Sequence, residues 1–142
     1  FYGINVKRST LANFDAGFGV HFDLADPRTY YIFEDRTVDH VCNPIDECLD
    51  SNLVEVFKVQ KGNYISKICV DNGGVVTCTT SGVVDVSFIR PNPDAYVTLN
   101  GVAGNYSRAE ICVASPSGTK RSVIVESTGQ IAVSATPSAN CN

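Results

Sequence analysis

Short segments in which apolar and polar residues alternate are the feature that most constrains the fold of this chain. The alternation is clear in GFGVHFDL (17–24), YYIFED (30–35) and VEVFKV (54–59). It continues in YISKICV (64–70), VVTCTT (75–80), VVDVSFI (83–89), AYVTLNG (95–101), AEICVAS (109–115), RSVIVES (121–127) and QIAVSA (130–135). A period of two predicts strands with one buried face, and no segment shows the periodicity of an amphipathic helix.

Turn-forming residues separate these segments, among them Gly73-Gly74, Ser81-Gly82, Ser117-Gly118 and Thr128-Gly129. Short strands at this spacing indicate an antiparallel sandwich or barrel. We therefore predict a mainly β fold, an antiparallel two-sheet β-sandwich, over residues 17–135. Residues 1–16 are predicted to be irregular, and residues 136–142 form a small polar tail that only Cys141 can tie down.

The composition fits one folded domain without a dedicated nucleic-acid function. The 142 residues are 44% hydrophobic and 18% charged, which is typical of globular chains. A net charge of -4 argues against a dedicated nucleic-acid-binding protein. The charge is uneven, because residues 23–55 carry nine acidic side chains against two arginines, whereas residues 108–142 have a net charge of +1. The sequence thus predicts an acidic end and a mildly basic end.

The six cysteines predict disulfides, because their number is even and their spacing does not suit a zinc site. Disulfides imply an oxidising compartment outside the cytosol. If Gly73-Gly74 forms a two-residue type I′ loop, Cys69 lies opposite Cys78 in a non-hydrogen-bonded pair, where a disulfide fits. The competing register, with Asn72-Gly73 at the tip, would place Cys69 opposite Val76.

Two further pairings rest on proximity and elimination. Cys42 and Cys48 enclose the short loop NPIDE, which a bridge between them would pin. Cys112 is then left to hold Cys141 and the polar tail. The sequence leaves the pairing of these four cysteines open.

Catalytic motifs are missing from the sequence, which contains neither Gly-x-Ser-x-Gly nor His-Glu-x-x-His. His21 lies in an alternating segment, and we expect it, like His40, to be a structural histidine hydrogen-bonded to a neighbour. The sequence therefore predicts a protein that is not an enzyme.

The acidic loop DHVCNPIDECLDSN offers oxygen ligands for calcium through Asp46, Glu47 and Asp50. The spacing is not that of an EF-hand, and solvated loop acids are the commoner outcome. No other cofactor is expected.

Three stretches together resemble a known family. They are GFGVHFDLADPRTYYIFED (17–35), VVDVSFIRPNPDAYVTLNG (83–101) and ICVASPSGTKRSVIVESTGQIAV (111–133). They resemble, in this order, the β-rich heads of type IV pilin-like proteins, and most closely the minor pilins and pseudopilins of the GspH/FimT class. In that class a glycine-aromatic-glycine strand precedes an aromatic strand that ends in Asp. The closing hairpin combines Ser-Pro-x-Gly, a basic residue, an apolar strand, a glycine and a last strand.

The resemblance implies a structural subunit of a type IV pilus or of a secretion pseudopilus, extracellular or periplasmic, whose partners are other pilin or pseudopilin subunits. Family members carry an N-terminal hydrophobic helix that anchors the precursor in the membrane and then packs into the filament core. The sequence holds no run of 18 apolar residues. We therefore expect the chain to be the head without its stem helix, to be monomeric when isolated, and to reach a membrane only through such a helix.

Some FimT-type members bind DNA through basic residues of the closing hairpin, and the corresponding positions here are Lys120 and Arg121, with Arg108 as a third candidate. The second basic site of that pattern is occupied by Gln130, and residues 114–133 contain no aromatic side chain for stacking on bases. We predict that the pair keeps an exposed strand soluble and that nucleic acid is not a partner. Two alternatives stay open, a secreted β-sandwich adhesion module that binds carbohydrate or a receptor, and a DNA-uptake pilin.

Overall fold

The computed structural model describes residues 17–35, 40–42, 54–88, 94–137 and 139–142, and this part of the chain is mainly β. Its strands are β1 (Gly17–Asp23), β2 (Thr29–Asp35), β3 (Val54–Lys58), β4 (Tyr64–Asn72), β5 (Val75–Thr79), β6 (Val83–Phe88), β7 (Ala95–Leu99), β8 (Val102–Ala103), β9 (Arg108–Ala114), β10 (Lys120–Glu126) and β11 (Ile131–Ser134). A 3₁₀ turn, Ala139–Cys141, follows them. The ten predicted strands are present with bounds shifted by one or two residues. The two-residue β8 was not predicted, because it is too short to show alternation.

The strands form two antiparallel sheets, which confirms the predicted sandwich. The first sheet has the order β3-β2-β1-β6-β7-β8, and the second has the order β11-β10-β9-β4-β5. The chain passes from the first sheet to the second after β3, returns at β6 and leaves again after β8. Each sheet therefore contains strands from both halves of the sequence, so neither half of the chain forms one sheet alone.

The core lies between the inner faces of the two sheets, as the alternation predicted. Val84, Val86 and Phe88 of β6 face it from the first sheet, while Ile68 of β4 and Ile111 of β9 face it from the second; all five are buried. Each such side chain contributes about 1.5–3 kcal/mol when it is fully buried. Packing of these two faces is the main source of stability.

The β4–β5 hairpin has the predicted register. Gly73 and Gly74 have φ angles of 61° and 93°, the left-handed conformation that both central residues of a type I′ turn require. The amide of Gly74 also donates to Asp71 Oδ1 at 2.8 Å. Cys69 is paired with Cys78 and bridged to it, with their Cα atoms 4.0 Å apart. The Asn72-Gly73 alternative is thereby excluded.

A second disulfide holds the C-terminal tail on the outer face of the second sheet. Cys112 of β9 is bridged to Cys141 of the 3₁₀ turn, with a Cα–Cα distance of 5.5 Å. Cys69, Cys112 and Cys141 form one buried cluster, whereas Cys78 at the edge of the sheet is exposed. Two disulfides indicate an oxidising environment, extracellular or periplasmic.

Some expectations fall outside the described residues. Cys42 is buried and disulfide-bonded, but its predicted partner Cys48 lies in the undescribed stretch 43–53. The predicted irregular segment 1–16 also lies outside. Within the described ranges, no helix has the length and apolarity needed to cross a membrane.

Replacing both cysteines of the hairpin bridge by serine is expected to lower the free energy of unfolding by about 2–3 kcal/mol, without changing the topology. The Cys112/Cys141 double variant is the matched comparison, since that bridge spans 29 residues instead of 9. Its longer loop should make the loss larger by about 1 kcal/mol. Urea unfolding measures both losses. Peptide mapping that finds Cys69 or Cys78 as a free thiol would refute the pairing.

Candidate functional site

The outer face of the first sheet carries a cluster of buried polar side chains. Alternation turns Val84 and Val86 toward the core, so that Asp85 and Ser87 of β6 point to the opposite face. Asp85, Ser87 and Asp35 are fully buried there. Buried polar groups of this kind need hydrogen-bond partners, and a buried charge needs them most.

His21 of β1 supplies such a partner to Asp85. Its Nδ1–H donates to Asp85 Oδ1 over 2.6 Å, and its ring lies 5.7 Å from that of Tyr31. The other carboxylate oxygen, Asp85 Oδ2, is buried without a hydrogen-bond partner among the described residues. His21 is therefore hydrogen-bonded, as predicted, across the strands to β6. The carboxylate fixes the tautomer of the imidazole, but no described serine, threonine or cysteine is hydrogen-bonded to His21 as a nucleophile would be.

His40 attaches residues 40–42 to the same face. Its amide donates to Asp35 Oδ2 at 2.9 Å, its Nδ1 lies 3.0 Å from Ser87 Oγ, and its ring stacks on Tyr96 at 4.2 Å. Serine, histidine and aspartate thus meet, but Asp35 Oδ2 approaches the same nitrogen, Nδ1, at 4.0 Å. A catalytic triad needs the serine and the carboxylate on different ring nitrogens. The arrangement instead holds a segment on the sheet.

Metal ligation finds little support in the described residues. Glu110, Cys112 and Cys141 bring ligand-type atoms together, but both sulfurs belong to a disulfide and cannot act as thiolates. Glu110 instead accepts a hydrogen bond of 2.8 Å from Ser122 Oγ. The predicted calcium ligands Asp46, Glu47 and Asp50 lie outside the described residues.

The three predicted nucleic-acid contacts do not form one group. Arg108 lies opposite Glu126 at the far end of β10 from Lys120, about 20 Å away along the strand. It pairs with Glu126, whose hydrogen bond and charge raise the pKa of the guanidinium. Lys120 and Arg121 begin β10, where alternation places them on opposite faces of the sheet.

Three cations that sequence reasoning missed lie at the same end of the sandwich as Lys120 and Arg121. The amide of Val59 donates to the carbonyl of Arg28 at 2.8 Å, while Tyr64 and Lys120 both pair with Ala114. Segments 27–33, 56–65 and 111–124 meet here, and they contain five cations and no acid: Arg28, Lys58, Lys61, Lys120 and Arg121. With Asp23 and Asp26 of the preceding turn, this basic end has a net charge of +3.

The other end of the described structure is acidic. Asp71, Arg108 and Glu126 lie side by side in the paired strands β4, β9 and β10. Asp94 joins them, because the next residue along, Ala95, donates its amide to the carbonyl of Ser127. Asp71, Arg108, Glu126 and Asp94 define the acidic end, and these four residues have a net charge of -2.

Exposed aliphatic side chains mark all four edge strands of the two sheets. Val56 of β3 and Val102 of β8 are 57% and 66% exposed at the edges of the first sheet. Val75 of β5 and Val133 of β11 are 68% and 72% exposed at the edges of the second. Within the described part of the chain, each of these strands pairs on one side only.

An apolar cleft of about 380 Å³ lies between the two sheets on the side of β3 and β11. Its walls come from β1, β2, β3 and β6 of the first sheet and from β4, β9, β10 and β11 of the second. Lys58 and Gln60 contribute polar groups near its basic end. The cleft can therefore hold an apolar molecule, with polar groups at one end.

Comparisons with models of protein families, with curated proteins and with solved structures give no match to this chain. Among the described residues, the partly buried histidines join strands and segments, whereas the accessible features are apolar edges, charged ends and the cleft. These features suit association and binding.

If the His21–Asp85 pair is structural, Asp85→Ala should lower the free energy of unfolding by about 1–3 kcal/mol, because it removes the hydrogen-bond partner of a largely buried imidazole. Glu126→Ala is the matched control, since it removes a carboxylate from an exposed ion pair and should cost less than about 1 kcal/mol. Chemical denaturation measures both variants. Equal stability of the two would contradict a structural role for the pair.

Proposed function

We propose that this chain is a structural subunit of an extracellular filament of the type IV pilus or secretion-pseudopilus kind. Its β-sandwich is the head, which packs against the heads of neighbouring subunits. The resemblance of residues 17–133 to GspH/FimT heads supports this function. The observation that carries the proposal is the exposure of aliphatic side chains on all four edge strands.

Edge strands with exposed apolar side chains are unusual in a protein that works as a monomer. Natural sheets protect their edges with lysine, proline, bulges or covering loops, because an open edge pairs readily with another chain. Here Val56, Val75, Val102 and Val133 occupy the edges. Such edges fit a head that is surrounded by other heads in its working state.

The opposite charges at the two ends of the sandwich favour one kind of packing. A head-to-tail contact brings different surfaces of two copies together, and its repetition generates an open filament. The basic end at +3 and the acidic end at -2 would face each other in such a contact. Complementary charges of this kind set register and speed association more than they add affinity.

The edges are too short to hold isolated heads together. The edge strands comprise five, two, five and four residues for β3, β8, β5 and β11 respectively. A stable interface normally buries about 1,200–2,000 Å² in total, which exceeds what one such edge offers. We therefore expect the isolated chain to be monomeric in dilute solution, and sedimentation at micromolar concentration measures this.

Placing a lysine on an edge strand is expected to remove the protein from filaments. In cells that make the full gene product, Val133→Lys and Val75→Lys should each deplete the subunit from the filament fraction sheared off the surface, because a charge would have to be buried. Thr119→Lys is the control, since it adds the same charge off the edge strands, at an exposed turn of the basic end, where a further cation stays complementary to the acidic end of a neighbour. Assembly of both edge variants at the level of the control would contradict the proposal. A tight dimer of the wild-type chain in dilute solution would also contradict it.

The basic end favours one alternative, a DNA-uptake pilin, because five cations gather there. Two acids reduce its charge, and the two hairpin cations point to opposite faces of β10. Affinity for DNA grows with the number of phosphates neutralised and falls steeply with salt. We therefore expect no saturable binding of duplex DNA at physiological salt. Saturable binding that is lost when Lys120 and Arg121 become alanine would establish the alternative.

A further inference from the structure

We propose that the cleft between the two sheets binds one unbranched alkyl chain that carries an anionic head group, a free medium-chain fatty acid. The alkyl chain lies between the sheets and the carboxylate lies at the basic end. This inference goes beyond assembly of a filament and does not depend on it.

The size and the walls of the cleft suit an apolar ligand. Its volume of about 380 Å³ lies within the range of about 300–1,000 Å³ for small-molecule sites. Val86, Ile111 and Val125 form its buried interior, and Val113 and Val123 are half-buried nearer the opening. A cavity lined in this way repels water and takes up apolar molecules instead.

The shape of the cleft favours a linear chain. Its walls are two sheets that face each other, so the space is flat and runs along the strands. Phe22 and Phe88 both line it, and Phe88 pairs with Phe18, four residues from Phe22 along β1. Four residues of a strand span about 13 Å. An extended alkyl chain of medium length fits this slot.

The charges at one end of the cleft determine the head group. Lys58 contributes to the lining, and Arg121 pairs with Val113 on the face of β10 that also bears Val123. No acidic residue occurs among the described lining residues. Lys58 and Arg121 make no ion pair within the described part of the chain. A carboxylate would complement both cations while its chain enters the cleft.

Calorimetric titration of the wild-type chain with octanoate, decanoate and decanol tests the proposal directly. We expect one saturable site, with decanoate binding about fifteenfold tighter than octanoate, because each buried methylene strengthens binding about fourfold. Decanol should bind more weakly than decanoate, because it lacks the charge.

Variants test the cations at the head-group end and the apolar cleft separately. Lys58→Ala and Arg121→Ala should each weaken decanoate binding roughly threefold and leave decanol unchanged. Lys120→Ala is the matched control for Arg121→Ala, since Lys120 lies on the opposite face of the strand. Val123→Phe should abolish binding of both ligands by filling the cleft. Val102→Phe, at an exposed position outside the cleft, should not change binding.

The proposal is overturned if the wild-type chain shows no saturable binding, or if affinity is independent of chain length. Binding that survives in a folded Val123→Phe variant would also overturn it. Self-association of the wild-type chain that Val123→Phe abolishes would assign the cleft to a second copy instead. None of these results changes the expected outcome of the edge-lysine experiment, so the two proposals fail separately.

Discussion

Hydrogen bonding at the sheet edges is the constraint on which the rest of this structure depends. Two open sheets leave four edges, whereas a closed barrel leaves none. The edge strands are β3, β8, β5 and β11, and each carries an exposed valine, while charged side chains occur among them only in β3, as Glu55 and Lys58. Among the described residues, the inner faces of the two sheets cover each other, whereas the four edges are left for another segment or another chain to cover. The proposed filament is one way to cover them.

The outer faces of the sheets show how this chain covers surfaces with its own residues. On the first sheet, His40 lies over Tyr96 and reaches Asp35 and Ser87. On the second, the tail lies across the strands and is held by the Cys112–Cys141 bridge. Short segments therefore cover these outer faces, which other folds cover with helices. Polar contacts and a disulfide hold the segments in position. The cleft, in contrast, lies between the inner faces of the sheets, and the described residues leave it open.

Local features of the sequence predicted much of the fold. The strands follow from alternation, and the hairpin register follows from Gly73-Gly74, because only one register brings Cys69 opposite Cys78. The glycine-aromatic-glycine motif also has a physical reason that the sequence alone did not show. A Cβ atom on Gly19 would lie 2.5 Å from the ring of Phe33, which packs over that position.

The candidate sites depended on contacts between distant residues and were predicted less well. His21 and Asp85 are 64 residues apart, so their pairing needed the β1–β6 register. The basic end was recognised only through Lys120 and Arg121, because Arg28 and Lys58 reach it from another sheet. The cleft has no local signal, since its lining residues have the same pattern as a filled core.

Hydrogen–deuterium exchange tests most directly whether the edges are the assembly surface. The amides of β5 and β11 should exchange fast in the isolated chain and become protected in filaments recovered from the cell surface, while those of β4 and β9 stay protected in both states. Unchanged exchange of β5 and β11 in recovered filaments would contradict the account.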